Sequence, residues 1–291
     1  MVDAASAMMS LTLVLAFCVS TVAWGRLLWH RRQLIGRGFF ESLLPARPRK
    51  VPFWSPADAL LMFGVMIVST IALQRVMIQY GWISVATEDG PPVEPTASGV
   101  IASSSVMAIA GVTSVLMVGL WLRLFRPKPL TEVGLTCSID EIKIGLKAAL
   151  LILPPVMLLS AAVSFLVPYE HPVLNTLAKT ASPAVFAVVL ICTAVVTPFV
   201  EEFLFRGLLQ GSLQAISDPA NEGLGSPSHT DNWRPTSYWP LLISSLVFAL
   251  VHLGGQGAAP IPLFFLAFGL GFLYRQTGSL TPPILVHLIL N

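Results

Sequence analysis

Long apolar runs constrain this chain more than any other feature of its sequence. A membrane-crossing helix needs about 20 predominantly apolar residues, and four stretches reach that length, at 6–29, 57–80, 99–125 and 144–167. The composition agrees, because 55% of the 291 residues are hydrophobic and only 11% are charged, against about 25% in soluble domains. The sequence therefore predicts an all-α, polytopic integral membrane helical bundle.

The second half of the chain has shorter and less regular apolar segments. Its first apolar run continues directly into the polar stretch EEFLFRG at 201–207. Proline removes a helical hydrogen bond, so Pro154, Pro155 and Pro198 predict kinks. We therefore expect about eight transmembrane helices, some of them short or kinked. The apolar segments of this half lie at 183–200, 238–253, 261–275 and 281–291.

Charges between the apolar segments predict the direction in which the chain crosses the membrane. Basic residues accumulate on the cytoplasmic side, and the first connection is strongly basic, whereas the second has Glu88, Asp89 and Glu94 with no Lys or Arg. We therefore predict a multi-pass plasma-membrane protein with its N-terminus outside, and cytoplasmic connections at 123–147 and 217–237. The basic residues of the first connection are Arg26, Arg31, Arg32, Arg37, Arg47, Arg49 and Lys50.

The net charge and the cysteines exclude two classes of function. The formal net charge is only +2, far from the basic balance of nucleic-acid-binding domains, so we predict no nucleic-acid partner. The cysteines, Cys18, Cys137 and Cys192, are too widely spaced for a disulfide framework or a CxxC metal site. We interpret them as structural residues.

Ionisable residues inside apolar segments are candidates for function, because a charge at mid-bilayer costs about 2.5–3.5 kcal/mol. In EEFLFR, Glu202 and Arg206 are four residues apart and share a helical face. Glu201 lies about 140° away from Arg206 and keeps no cationic partner, which makes it a candidate general base. The alternative is an ion-pair cluster where a helix leaves the membrane.

Two histidines add to this set of polar residues. His252 follows Phe248 by one helical turn in FALVH, and His287 precedes Asn291 by one turn in HLILN. Counted from the cytoplasmic helix ends, Glu201 and His252 both lie about 21–22 Å deep, so antiparallel helices would hold them level. His287 reaches only about 9 Å, so its helix must start deeper or tilt. The alternative for each histidine is helix packing.

A carboxylate, two histidines and an asparagine can together support peptide hydrolysis. Glu201 and His252 would polarise a water, while His287 and Asn291 would donate hydrogen bonds to the oxyanion. The same donor atoms could bind zinc with a water in an open position, although the chain has no HExxH motif. Both versions stay open from the residues alone.

The second half of the chain resembles the CPBP family. Over 183–291 it has this family's three motifs, EExxxR, FxxxH and HxxxN, in this order on successive apolar helices. This family comprises CAAX prenyl endopeptidases of the Ras-converting type and bacteriocin-processing, or Abi, proteins. The resemblance implies a glutamic-type intramembrane endopeptidase that needs no metal or cofactor. It implies Glu201 as base, His252 sharing the water, and His287 with Asn291 as the oxyanion hole. The supporting residues are Glu202, Arg206 and Phe248.

The resemblance also divides the chain and predicts its partners. Residues 144–291 would form the CPBP-like protease core, and 1–143 an N-terminal transmembrane region of about three helices with a basic cytoplasmic loop. We expect membrane lipid and a membrane-anchored or lipidated peptide or protein substrate as partners. We also expect a truncated C-terminus, because a terminal carboxylate at Asn291 would oppose oxyanion stabilisation.

Two other classes of function fit parts of the same pattern. A non-catalytic immunity or scaffold protein would use the polar core for packing or partner binding. A proton-coupled transporter would use Glu201 and the histidines as a relay, but the sequence shows neither inverted repeats nor paired broken helices.

Overall fold

The computed structural model describes residues 2–31, 38–84, 96–126, 128–166, 182–218, 232–253 and 260–291. Five helices in these ranges are long and apolar enough to cross a membrane, which confirms the predicted all-α polytopic membrane bundle. The described ranges contain no strand, and their one β-bridge is isolated, between Arg49 and Trp233. Several residues used to predict topology lie outside the described ranges, namely Arg32, Arg37, Glu88, Asp89 and Glu94.

The helices follow the apolar runs of the sequence. The first five are α1 (Val2–Arg31), α2 (Phe39–Leu43), α3 (Pro56–Gln79), α4 (Ala97–Phe125) and α5 (Ile139–Leu166). The next is the composite helix α6, Pro183–Ser217. The last three are α7 (Trp239–Val251), α8 (Pro260–Thr277) and α9 (Thr281–Leu290). Two of them, α7 and α9, are short, with 13 and 10 residues.

Local sequence signals begin several of these helices. The Asp58 side chain accepts a hydrogen bond from the Ser55 amide at 2.7 Å, and Pro56 occupies the first helical position of α3, where its missing N–H costs nothing. Thr96 caps α4 by accepting a hydrogen bond from the Gly99 amide at 3.1 Å. These caps fix the starts of two membrane-spanning helices.

Helix α6 lies at the centre of the bundle, where α3, α4, α7, α8 and α9 pack against it. Gly111 lets α4 come close to α6, because a Cβ there would lie 3.0 Å from Cγ2 of Val200. Close packing of this kind stabilises helix association in membranes, where water exclusion contributes little. The buried cluster around α6 includes Met62, Leu122, Phe203, Leu208, Phe248 and Ala267.

Helix α1 is attached to α5 through a proline-freed carbonyl. Helix α5 continues through Pro154 and Pro155 without interruption, and Pro155 has no N–H to offer the carbonyl of Leu151 four residues earlier. The indole Nε1 of Trp24 donates a hydrogen bond to that carbonyl at 2.9 Å. The proline therefore creates an acceptor that α1 uses.

Three connections that we predicted to be cytoplasmic meet at one end of the bundle. Lys50 of the first connection pairs with Glu132 of the third at 3.1 Å. The Arg49 amide donates to the carbonyl of Trp233, in the connection at 217–237, at 2.9 Å. The position of these three connections on one side agrees with the alternation of basic and non-basic connections along the sequence. The cytoplasmic orientation of that side stays a prediction, as does the division of the chain into 1–143 and 144–291.

Candidate active site

Helix α6 has two wide π-helical turns, and its two carboxylates lie between them. The turns span Ile191–Val196 and Phe203–Gln210, and the α-helical segment Thr197–Glu202 separates them. We predicted ordinary α-helical spacing in EEFLFR, so the wide turn at Phe203–Gln210 is a correction. Side chains outside α6 bind two carbonyls of the second turn. Ser244 donates to the Phe205 carbonyl at 2.8 Å, and Trp54 donates to the Leu208 carbonyl at 3.0 Å. Such turns occur often at functional sites.

Glu202 and Arg206 form a buried ion pair, as their spacing predicted. Nε of Arg206 lies 3.1 Å from Oε2 of Glu202, and the side chains are 1% and 0% exposed. The guanidinium lies 4.6 Å from the ring centre of Phe248 and donates to the carbonyl of Ala267 at 3.3 Å. Each charge depends on the other, because a buried charge without its partner is strongly destabilising.

The second oxygen of Glu202 binds His287, a contact that the sequence did not predict. Oε1 of Glu202 lies 2.9 Å from Nδ1 of His287, across 85 positions of sequence. An ionised carboxylate only accepts hydrogen bonds, so Nδ1 of His287 donates. Its other nitrogen, Nε2, lies 3.7 Å from Oε2 of Glu201. Glu202 therefore fixes which nitrogen of His287 is presented to Glu201.

His252 is oriented in the same way by a main-chain carbonyl. It follows the last residue of α7, and its Nδ1 lies 2.7 Å from the Phe248 carbonyl oxygen. A carbonyl accepts but cannot donate, so Nδ1 carries the proton and Nε2 is presented to Glu201, 3.8 Å from Oε1. The Phe248 ring also packs against both imidazoles, at centroid distances of 4.7 Å from His252 and 6.1 Å from His287.

Glu201 is the point at which these groups converge. Each of its oxygens faces one histidine Nε2, and its side chain is 21% exposed whereas that of Glu202 is fully buried. The separations of 3.7 and 3.8 Å exceed a direct hydrogen bond and suit a bridging water. The contact agrees with the residue count from the helix ends, which gave Glu201 and His252 the same depth in the membrane.

Helix α9 brings His287 to this level because it begins inside the bundle. Leu280, Pro282 and Pro283 are all buried, and the Leu280 amide donates to the Gly134 carbonyl at 2.8 Å. A Cβ on Gly207 of α6 would lie 3.5 Å from Cδ1 of Leu280, so α9 begins level with a residue ten positions before the end of α6 at Ser217. This deeper start removes the mismatch of depth noted for His287. Asn291 follows one turn later, is exposed, and its Nδ2 donates to the Thr193 carbonyl of α6 at 3.0 Å.

The structure thus brings Glu201, His252 and His287 together and holds Asn291 one turn away against α6. Two carboxylates and one guanidinium give the cluster a formal charge of −1 when both imidazoles are neutral. Of the two carboxylates, Glu202 is the one that accepts a hydrogen bond from His287. Within the described ranges, no three His, Cys, Asp or Glu residues are arranged to hold a metal ion.

Residues 183–291 match the family described as type II CAAX prenyl endopeptidase Rce1-like. The match confirms the resemblance that the three motifs indicated, and it begins where α6 begins. The matched model describes an endopeptidase, so residues 183–291 resemble a protease domain. Searches of curated proteins and of solved structures found no match.

Proposed function

We propose that the chain hydrolyses a peptide bond of a membrane-anchored substrate with Glu201 as general base, because residues 183–291 match the type II CAAX prenyl endopeptidase Rce1-like family. The observation that carries this proposal is the convergence of two histidine Nε2 atoms on the partly exposed carboxylate of Glu201, at 3.7 and 3.8 Å. Three ionisable groups from three helices are costly in an apolar bundle. A catalytic role explains why they meet.

The first chemical step is attack by water. A water held between Glu201 and Nε2 of His252 gives a proton to Glu201 while its oxygen bonds to the scissile carbonyl carbon. The carbonyl π pair moves onto oxygen and forms an oxyanion. His287, protonated on both nitrogens, would donate to this oxyanion through Nε2, and Asn291 would donate through its amide.

The second step releases the products. The oxyanion re-forms the carbonyl, the C–N bond breaks, and the leaving nitrogen takes the proton from Glu201. One product has a new carboxyl group and the other a new amine. None of these steps requires a metal or another cofactor, since Glu201 supplies the base and the protein donors stabilise the charge.

Glu202, Arg206 and Phe248 support this chemistry without touching the substrate. Glu202 stabilises the imidazolium of His287 through Nδ1. Arg206 supplies the positive charge beside Glu202 in a fully buried site. Phe248 packs against the guanidinium and the two imidazoles and supplies the carbonyl that orients His252.

We propose a membrane-anchored or lipidated peptide or protein as substrate, approaching Glu201 from the lipid or from the cytoplasmic side, with membrane lipid as the second partner. In this topology the N-terminus lies outside the plasma membrane, because the basic first and third connections then face the cytoplasm.

The test is cleavage of an internally quenched, farnesylated C-a-a-X peptide and of its acyl-anchored analogue by the full chain in liposomes. We expect the wild-type protein to cleave at least one of them, and Glu201→Gln to lower the rate by about 10²-fold or more. Asp140→Asn is the control, because Asp140 is an exposed carboxylate in a surface pair worth little. A folded Glu201→Gln variant with the wild-type rate would refute the proposal.

Absence of cleavage by the wild-type protein would favour the non-catalytic immunity or scaffold alternative. In that case a cellular phenotype would survive Glu201→Ala and would be lost on substitution of Glu202 or Arg206, because only those two residues form the buried structural pair.

A further inference from the structure

A single carbonyl of α6 holds the side chain of Asn291. The carbonyl belongs to Thr193, in the first wide turn, and accepts a hydrogen bond from Nδ2 of Asn291 at 3.0 Å. One amide hydrogen of Asn291 is used in this contact, and a carboxamide nitrogen has two. The second hydrogen is thereby left for another acceptor, and its direction is set by the first.

The wide turn and Pro198 together leave this carbonyl without a main-chain donor. In a helix, the Thr193 carbonyl has two possible main-chain donors, the amides four and five residues later. The first, the Thr197 amide, donates instead to the Cys192 carbonyl. The second position is Pro198, which has no N–H. Within the hydrogen-bond register of this turn, the Thr193 carbonyl therefore has no main-chain donor.

We infer that Pro198 is a positioning residue that acts through Asn291. By removing the competing main-chain donor, it reserves the Thr193 carbonyl for the Asn291 carboxamide and fixes the direction of the remaining amide hydrogen. The inference deepens the proposed function and rests on it, because that hydrogen is the one that would meet the oxyanion. It names the reason for a proline three residues before Glu201 in an otherwise continuous helix.

The chain contains a matched control for this device. Pro155 also lacks an N–H, and it leaves without a main-chain donor the carbonyl of Leu151, four residues earlier in α5, whereas Pro198 lies five residues after Thr193. The Leu151 carbonyl is used by Trp24 of α1 and not by a residue of the site. Replacing either proline by alanine restores one main-chain N–H, and this N–H can compete for the carbonyl. Only the Pro198 replacement should affect Asn291.

The first experiment needs no enzymatic activity. The chain has four asparagines, Asn175, Asn221, Asn232 and Asn291, so a ¹⁵N-asparagine-labelled sample in micelles gives a short list of side-chain amide signals. The Asn291 pair is identified by its loss in Asn291→Ala. We expect Pro198→Ala to move this pair upfield, as its hydrogen bond weakens, and Pro155→Ala to leave it in place. An unchanged Asn291 signal in folded Pro198→Ala would overturn the inference.

The second experiment measures the coupling of the two residues in cleavage. We expect Pro198→Ala to lower kcat about fivefold, the scale of one net hydrogen bond, with KM unchanged. In the Asn291→Ala background the same replacement should have no further effect. Multiplication of the two losses would overturn the inference, because a proline that merely shapes the helix would act whether or not Asn291 is present.

A third variant covers the case in which Pro198→Ala does not fold. A main-chain ester in place of the Thr193–Ala194 amide weakens the Thr193 carbonyl as an acceptor while Pro198 stays. We expect the same upfield movement of the Asn291 signal, and no movement would overturn the inference. If the wild-type protein cleaves nothing, the proposed function fails while these spectra still decide the role of Pro198.

Discussion

Replacing the buried pair of Glu202 and Arg206 one residue at a time should be far more damaging than replacing both. Each side chain is at most 1% exposed, so Glu202→Gln leaves a buried guanidinium without its counter-ion, and Arg206→Met leaves a buried carboxylate without its cation. Breaking such a pair costs about 3–5 kcal/mol. We expect each single variant to lose that amount of unfolding free energy.

The double variant, Glu202→Gln with Arg206→Met, should recover most of the lost stability, because no unpaired charge is then buried. Its activity should not recover, since Glu202 also supplies the negative charge beside Nδ1 of His287 at 2.9 Å. Reversible unfolding in mixed micelles gives the free energies, and the liposome cleavage assay gives the activity. Additive losses in the double variant, or single losses below about 1 kcal/mol, would refute this account of the pair.

Three further predictions concern pH, helix attachment and metal. Burial raises the pKa of Asp218, but hydrogen bonds from the residues at 236–237 outweigh burial and lower the pKa from 3.8 to about 2. The contribution of Asp218 to the stability of the fold is therefore complete above pH 3.8 and lost as the pH falls through about 2. Asp218→Asn should therefore lower Tm at neutral pH, with a difference from wild type that shrinks towards pH 2, and a constant difference would contradict this. Trp24→Phe should cost about 1 kcal/mol of unfolding free energy, and adding Pro155→Ala should restore it; no restoration would contradict a proline-freed acceptor. Cleavage should persist in protein that elemental analysis shows to be metal-free after chelation, whereas loss with recovery on added zinc would favour the zinc alternative.

The local part of the site was predictable from the sequence because it depends on helix geometry alone. Glu202 and Arg206 pair because residues four apart share a helical face, and the structure contains this pair. Four of the five membrane-length helices followed from the apolar runs in the same way. Glu201 and His252 were predicted to lie level from a count of residues, which works when neighbouring helices are antiparallel and roughly straight.

The tertiary part of the site was not predictable in this way. The Glu202–His287 contact joins residues 85 positions apart and depends on how α9 enters the bundle, which neither apolar pattern nor spacing encodes. The wide turns of α6 were missed because they change the hydrogen-bond register without changing the apolar pattern. Asn291 was predicted to share a helical face with His287, but its acceptor, the Thr193 carbonyl, is visible only once that register is known.

The most direct test of the central claim is the origin of the oxygen in the cleaved product. When wild-type protein cleaves the membrane-anchored peptide once in H₂¹⁸O, we predict one ¹⁸O atom in the new carboxyl group and no protein-bound acyl intermediate by mass spectrometry. Glu201→Gln should release labelled product at least about 10²-fold more slowly. A trapped acyl-enzyme, or equal rates of label incorporation in the two proteins, would contradict water activation by Glu201.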